Sequence, residues 1–137
     1  MTPFKHHSLR NLRLPLFAAP MFLVSGTELV IAACKSGILG SFPAANARTT
    51  EQLEEWLKQI SSEVDSDIDG PWAINLVAHQ LNKRFASDLE LTCKYKPPIV
   101  ITALGHPGPV VEAVHAYGGL VFADVISVEH ARKAAKA

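Results

Sequence analysis

The sequence predicts a parallel α/β fold, and specifically the first five units of a (β/α)₈ barrel. Five short apolar segments alternate with five segments of helical periodicity, and short connections join them. The apolar segments are nearly continuous, as expected of strands that are buried on both faces of a parallel sheet. No GxGxxG or GxxxxGK[ST] motif opens a helix, so a dinucleotide-binding or P-loop fold loses its main support.

The length of the chain sets how much of a barrel it can contain. A complete barrel takes about 250 residues, and this chain has 137. We therefore expect a fragment with five of the eight units and an open sheet edge where strands six to eight would pair. Residues 1–13 are predicted to be a polar lead-in that plugs one end of the barrel as a short strand, and residues 14–137 form the barrel portion.

Composition excludes several classes of protein. The chain is 48% apolar, enough for a core, and its 13 basic residues balance its 13 acidic residues. This balance argues against nucleic-acid and membrane partners, and no signal peptide or spanning helix is visible. The two cysteines and six histidines lack the spacing of a disulfide framework or a metal site. We expect a cytoplasmic protein with two reduced thiols and no bound metal.

The first unit contains a strand within residues 15–21 that we predict to be buried on both faces. Pro20 ends its pairing, because proline cannot donate a ladder hydrogen bond. Ser25 and Glu28 form a capping-box pattern at the start of the first helix, and Gly37 supplies its C-cap.

The second and third units repeat this pattern. A strand over residues 38–43 is followed by a helix that Thr49 and Gln52 cap. The strand over residues 72–77 precedes a helix over 83–95. The inward faces of these two helices are predicted to carry Leu53, Trp56, Leu57, Ile60 and Val64 in the first, and Phe85, Leu89 and Cys93 in the second.

The fourth and fifth units contain the clearest strand, over residues 99–104, and a fifth strand over 120–125. Pro109 lies at or near the first position of the fourth helix, where proline is favoured. Ser127 caps a last helix over residues 129–137. Trp56 and Trp72 are predicted to pack between the helices and the barrel, and not to stack on a ligand.

Candidate functional residues lie where the strands end, since barrel enzymes carry their chemistry at the carboxyl ends of the strands. Asn75, Thr102 and Asp124 are polar residues that lie late in apolar strands and need partners. They could instead satisfy loop backbone or cap the following helix. His79 and His106 follow the third and fourth strands and are weak candidates for a catalytic base, because an exposed loop histidine is common.

Four segments together resemble the N-terminal part of the nitronate monooxygenase family. They are Ala19-Pro20-Met21, the second-strand residues 37–41, the third-strand residues 74–76, and Asp124-Val125-x-Ser127-Val128-x-x-Ala131. This family, also called 2-nitropropane dioxygenase-like, comprises FMN-dependent TIM-barrel flavoproteins and is similar to flavin-dependent enoyl-acyl-carrier-protein reductases. The resemblance covers residues 12–137, and the order and spacing of the segments carry it.

The resemblance implies an FMN site and assigns residues to it. Ala19, Pro20 and Met21 would lie along the flavin, with backbone groups meeting its edge, and Asn75 and Val77 would lie under the flavin and its ribityl chain. Thr102 and Asp124 complete the expected cofactor-binding set, although a carboxylate at 124 departs from the lysine or other polar residue of some relatives and would repel an anionic reduced flavin. The family's catalytic histidine lies in a Gly-Gly-His segment after a later strand, and its phosphate loops lie near strands seven and eight.

We therefore expect an FMN-dependent oxidoreductase that oxidises alkyl nitronates with dioxygen, with this chain inactive by itself. The alternatives are an NAD(P)H-dependent flavin reductase acting on quinones or enoyl thioesters, and a non-catalytic barrel module. The expected partners are a nitronate, dioxygen, and further copies of the chain that pair through the open edges of its first and fifth strands.

Overall fold

A computed structural model describes residues 6–79 and 81–137 and contains one sheet of five parallel strands. The strands are β1 (Phe17–Ala18), β2 (Leu39–Pro43), β3 (Trp72–Val77), β4 (Ile99–Ala103) and β5 (Leu120–Ala123). The helices are α1 (Thr27–Lys35), α2 (Thr50–Glu63), α3 (Phe85–Tyr95), α4 (Gly108–His115) and α5 (Val128–Ala134), with 3₁₀ turns at His7–Leu9 and Ala44–Asn46. The alternation of strands and helices confirms the predicted fold class.

The strands pair in chain order, β1-β2-β3-β4-β5. Because right-handed crossovers between successive neighbours place every helix on the same face, the sheet has a helix-covered face and a free face. Along β3, Ile74 and Leu76 pack in the core that contains helix residues, whereas Ala73 packs with Ile99 and Ile101 of β4 in a second cluster. This second cluster marks the face that would line a barrel interior.

The curvature of the sheet is that of a barrel. Phe17 of β1 stacks on Phe122 of β5 with ring centroids 5.6 Å apart and an interplanar angle of 16°. In a flat sheet these strands would be separated by four strand spacings, or about 19 Å. Strands one and five lie opposite each other in an eight-stranded barrel, so the contact across the concave face fits that geometry.

The N-terminal segment closes the amino end of the strands with a 3₁₀ turn, and not with the predicted short strand. Leu9 and Leu12 are buried against Leu39 and Ile99, the first residues of β2 and β4. Residues 1–5 of the predicted lead-in lie outside the described residues.

The prediction that the first strand is buried on both faces is wrong. β1 has only two residues, and the Phe17 side chain is 47% exposed. The reason is topological, because β1 and β5 are the two outer strands of the described sheet. Self-association through these edges stays a prediction.

The capping box proposed at Ser25 is also wrong. The N-cap of α1 is Gly26, which has no side-chain capping hydrogen bond. Ser25 is buried, and its hydroxyl accepts a hydrogen bond from the Met21 N–H at 3.0 Å and donates to the Ala19 carbonyl at 3.4 Å. The serine therefore stabilises the loop before the helix. The other predicted end signals are confirmed: Gly37 has φ +81°, and the Thr49 and Ser127 side chains cap α2 and α5.

The predicted inward face of α3 needs correction. Asp88, Leu91 and Thr92 are the buried residues of this helix, whereas Phe85 and Leu89 are partly buried and Cys93 is half-buried. The helix is rotated so that a carboxylate faces the interior, which apolar periodicity could not predict. Both tryptophans pack as expected, with Trp56 edge-on to Phe42 at 5.8 Å. No helix in the described ranges is long and apolar enough to cross a bilayer.

The two free cysteines are expected to differ in reactivity. Cys34 is buried and its thiol donates to the Pro71 carbonyl at 3.3 Å, and burial raises its pKa to about 11. Since the thiolate is the nucleophile, alkylation of Cys34 by iodoacetamide at neutral pH should be at least about a hundredfold slower than that of an unhindered thiol. Peptide mapping by mass spectrometry should find Cys93 modified first. Equal rates at the two positions would contradict the buried placement of Cys34.

Candidate functional site

The candidate site is the rim formed by the loops that follow the carboxyl ends of the strands. Each predicted site residue lies at this end of the sheet, either in the last positions of a strand or in the loop after it. In parallel α/β barrels this is the end at which substrates and cofactors bind.

Two side chains hold the loop between β1 and α1 in place. Ser25 bridges Ala19 and Met21, as described above. Asn46, in the 3₁₀ turn after β2, donates through Nδ2 to the carbonyls of Met21 at 2.9 Å and Ser25 at 2.8 Å, while its Oδ1 accepts from the Leu23 N–H at 2.9 Å. Leu23 is held at φ +63°, a left-handed conformation that is unusual for leucine. Sequence reasoning missed Asn46, because a single asparagine in a turn forms no pattern.

The end of β1 presents backbone that a flat ring system could approach. The Ala19 side chain is small and exposed, and the adjacent Pro20 has no N–H. Within the described chain the Ala19 N–H has no hydrogen-bond partner. A free amide donor next to small side chains fits the requirement for contact with the polar edge of a flavin, so these residues fit the expected group.

The concave face above the apolar cluster carries Ser41, Asn75 and Val77. The Asn75 side chain is 9% exposed, and its Nδ2 donates to the Ile101 carbonyl at 3.1 Å. The Ser41 hydroxyl donates to the Ala18 carbonyl at 2.5 Å. These bonds tie β3 to β4 and β2 to β1. Val77 is half-buried and ends β3 on the same face as Asn75.

Thr102 and Asp124 line a groove of about 470 Å³ between the β4 and β5 ends. The Thr102 hydroxyl donates to the Phe122 carbonyl at 3.3 Å, and by strand alternation with Ile101 its side chain lies on the helix-covered face. The Asp124 N–H donates to the Thr102 carbonyl at 2.8 Å, and its exposed carboxylate has no hydrogen-bond partner among the described residues. Ser127, and not Asp124, caps the last helix.

His79 and His106 line one groove of about 460 Å³ between the loops after β3 and β4. His79 Nδ1 accepts a hydrogen bond from the Leu81 N–H at 3.2 Å, and His106 Nδ1 accepts one from the Gly108 N–H at 3.0 Å. The structure therefore brings together the two histidines that follow these strands. Within residues 6–79 and 81–137, no group of three His, Cys, Asp or Glu residues is placed to hold a metal.

Arg84 links the loop after β3 to the loop after β2, and it also forms an ion pair with the buried Asp88. Arg84 donates to Asp88 Oδ1 at 3.0 Å and to the Ala47 carbonyl at 2.6 Å. Asp88 is 4% exposed, and this burial raises the pKa of its carboxyl group. The adjacent Arg84 guanidinium lowers the same pKa to a smaller extent. Sequence reasoning missed this pair. The only indication of it in the sequence was that Arg84 and Asp88 are four residues apart, a spacing that places both side chains on one side of a helix.

Exposed apolar side chains project from several rim loops and from the first residue of α5. They are Met21, Phe22, Leu23, Val24, Leu81, Leu104, Val125, Ile126 and Val128. Leu104 is also held in the left-handed region, at φ +58°. The exposed side chains of the rim are therefore largely apolar, and its exposed titratable groups after β3 to β5 include His79, Lys83, His106 and Asp124.

Solved structures with a similar fold were found, whereas no family profile and no curated protein sequence matches the chain. FabK from Thermotoga maritima superposes with a TM-score of 0.78 at 18% identity, over 91% of this chain and 38% of that one. A mutant of the same FabK gives the same TM-score and identity and is covered over 40%. The chain thus spans about two fifths of these structures, and the likeness shows a shared partial TIM-barrel fold.

Proposed function

We propose that this chain forms one wall of an FMN-dependent oxidoreductase that oxidises alkyl nitronates with dioxygen. The observation that carries the proposal is the end of β1, where the Ala19-Pro20-Met21 segment of the family resemblance presents a free backbone donor beside small side chains. The barrel fold shared with FabK supports it, since the resemblance requires that fold.

The residues of this chain would bind and orient the cofactor. The Ala19 N–H would donate to an acceptor on the flavin edge, and Val77 would supply apolar contact from the end of β3. Ser25 and Asn46 would act as positioning residues, because they fix the loop that carries Ala19. When bound, FMN would accept electrons from the nitronate and pass them to dioxygen.

An NAD(P)H-dependent flavin reductase for quinones or enoyl thioesters is the second candidate. The same rim residues would bind the flavin in this enzyme, and the apolar character of the rim suits an apolar electron acceptor. The two enzymes differ in their electron donor. Oxygen uptake that depends on a nitronate favours the first, whereas NAD(P)H oxidation that depends on a quinone or enoyl thioester favours the second.

The test is flavin binding by a version of the chain extended to the eight units of a complete barrel. After incubation with FMN and desalting, the protein should retain the visible flavin spectrum and consume oxygen when a nitronate is added. Ala19→Glu places a carboxylate beside the expected ring edge, and we expect it to weaken FMN binding at least about tenfold. Ser66→Glu is the matched control, since Ser66 is exposed at the opposite end of the strands.

The outcomes separate the candidates. An extended protein without bound flavin would overturn both enzyme proposals and leave a non-catalytic module. Equal loss of FMN in the two glutamate variants would show that the flavin does not lie at the end of β1.

A further inference from the structure

We propose that His79 and His106 form a pair of hydrogen-bond donors that binds a small planar oxyanion, a carboxylate or a nitronate. The two residues come from different loops, after β3 and after β4, and line the same groove with Asn82 and Phe85. The location of this site does not depend on a flavin. The nitronate as ligand rests on the proposed function.

The hydrogen bonds of the two rings define what they can do. In each ring Nδ1 accepts a hydrogen bond from the backbone N–H two residues later. A neutral imidazole with Nδ1 as acceptor carries its proton on Nε2. Each histidine is therefore a donor through Nε2. The same tautomer makes Nε2 unsuitable both as a base and as a metal ligand.

Close contacts hold the two loops together. A Cβ on Gly105 would lie 1.9 Å from the Ala78 carbonyl oxygen, so only glycine allows the loop after β4 to touch the loop that carries His79. A Cβ on Gly108 would lie 2.8 Å from Cε1 of His106, so the imidazole packs directly on this glycine. These contacts, together with the two Nδ1 hydrogen bonds, orient both rings before any ligand binds.

The chemistry of the groove selects the ligand class. None of its lining residues is acidic in the described chain. The Asn82 side chain is held in place, because Nδ2 donates one hydrogen to the Val77 carbonyl and Oδ1 accepts from the Arg84 N–H. The two histidine Nε2–H groups are the ring donors of the groove, and two donors match an acceptor-only group with two oxygens.

The experiment uses the 137-residue chain without flavin. Long-range ¹⁵N–¹H spectra of the imidazoles should show the Nε2-protonated tautomer for both residues. Titration with acetate, and separately with propane-2-nitronate, should shift the resonances of His79 and His106, with chloride at equal ionic strength as the control. Comparison of the acetate and nitronate titrations distinguishes a site that binds carboxylates in general from a site that is selective for nitronates.

Paired variants separate the loss of the Nε2–H donor from the loss of the Nδ1 hydrogen bond that holds the ring. Asparagine keeps an acceptor for the backbone N–H two residues later but has no donor at the Nε2 position. Glutamine supplies a donor near that position and loses the backbone acceptor. We expect His79→Asn and His106→Asn each to weaken anion binding about tenfold, and the glutamine variants to retain most of it.

Several results would overturn the proposal. These are an Nδ1-protonated tautomer at either histidine, shifts no larger than those caused by chloride, or binding by both asparagine variants equal to that of the unmodified chain. Because no flavin is present, failure here leaves the FMN proposal untouched. Failure of the FMN test likewise leaves acetate binding in place.

Discussion

Replacing Phe42 by alanine is expected to lower the free energy of unfolding by about 3–5 kcal/mol. The side chain is 0% exposed, lies at the centre of the core between sheet and helices, and packs edge-on against Trp56. Its removal loses the transfer free energy of the ring and leaves a cavity that the surrounding strands and helices cannot fill. Urea unfolding followed by circular dichroism would measure the change.

Phe22→Ala is the matched control for this prediction. Phe22 is 65% exposed on the loop between β1 and α1. Its removal should change the free energy of unfolding by no more than about 0.5 kcal/mol. Similar losses for the two phenylalanines would contradict the division between core and rim.

Replacing Arg84 by methionine is expected to cost about 3–5 kcal/mol at neutral pH, because it leaves the buried Asp88 carboxylate without its partner. Burial already raises the pKa of Asp88 above its ordinary value. The folded protein therefore binds more protons than the unfolded chain between the two pKa values, and stability falls as the pH rises through that interval. Without the guanidinium the pKa of Asp88 rises further, so the interval widens.

The pH dependence distinguishes this cause from a general packing defect. The loss in Arg84→Met should be largest above the folded pKa of Asp88 and should shrink as the pH falls toward the ordinary value of an aspartate. Asp88→Asn added to the Arg84→Met variant should recover much of the stability at neutral pH. A loss that stays constant with pH, or that the second substitution does not reduce, would contradict the prediction.

The sequence predicted best those elements whose structure depends on local patterns. β3 has the predicted bounds, residues 72–77, because it is an almost continuous apolar run that begins directly after the Gly70-Pro71 turn signal. The Thr49 cap and the Gly37 turn are likewise local signals. Ser25 failed as a cap because a serine hydroxyl can bond either the helix that follows or the loop that precedes it. Tertiary contacts decided in favour of the loop.

The site was less predictable because its contacts join distant segments. Asn46 holds a loop from which it is separated in the chain by α1 and β2, and Arg84 reaches the Ala47 carbonyl after β2. Neither contact leaves a repeat or spacing in the sequence. The sequence placed His79 and His106 after successive strands, but only the hydrogen bonds of Nδ1 indicate which nitrogen of each ring is free.

The order of the strands has a consequence for how the chain can fold during synthesis. Each strand pairs only with the strand before and after it in the chain, so every ladder forms between segments separated by a single helix. As the chain leaves the ribosome, each new strand can pair at once with the open edge of the strand synthesised before it. The stacking of Phe17 on Phe122 is the exception, since it joins β1 to β5. This contact can therefore form only after all five strands have paired into the curved sheet.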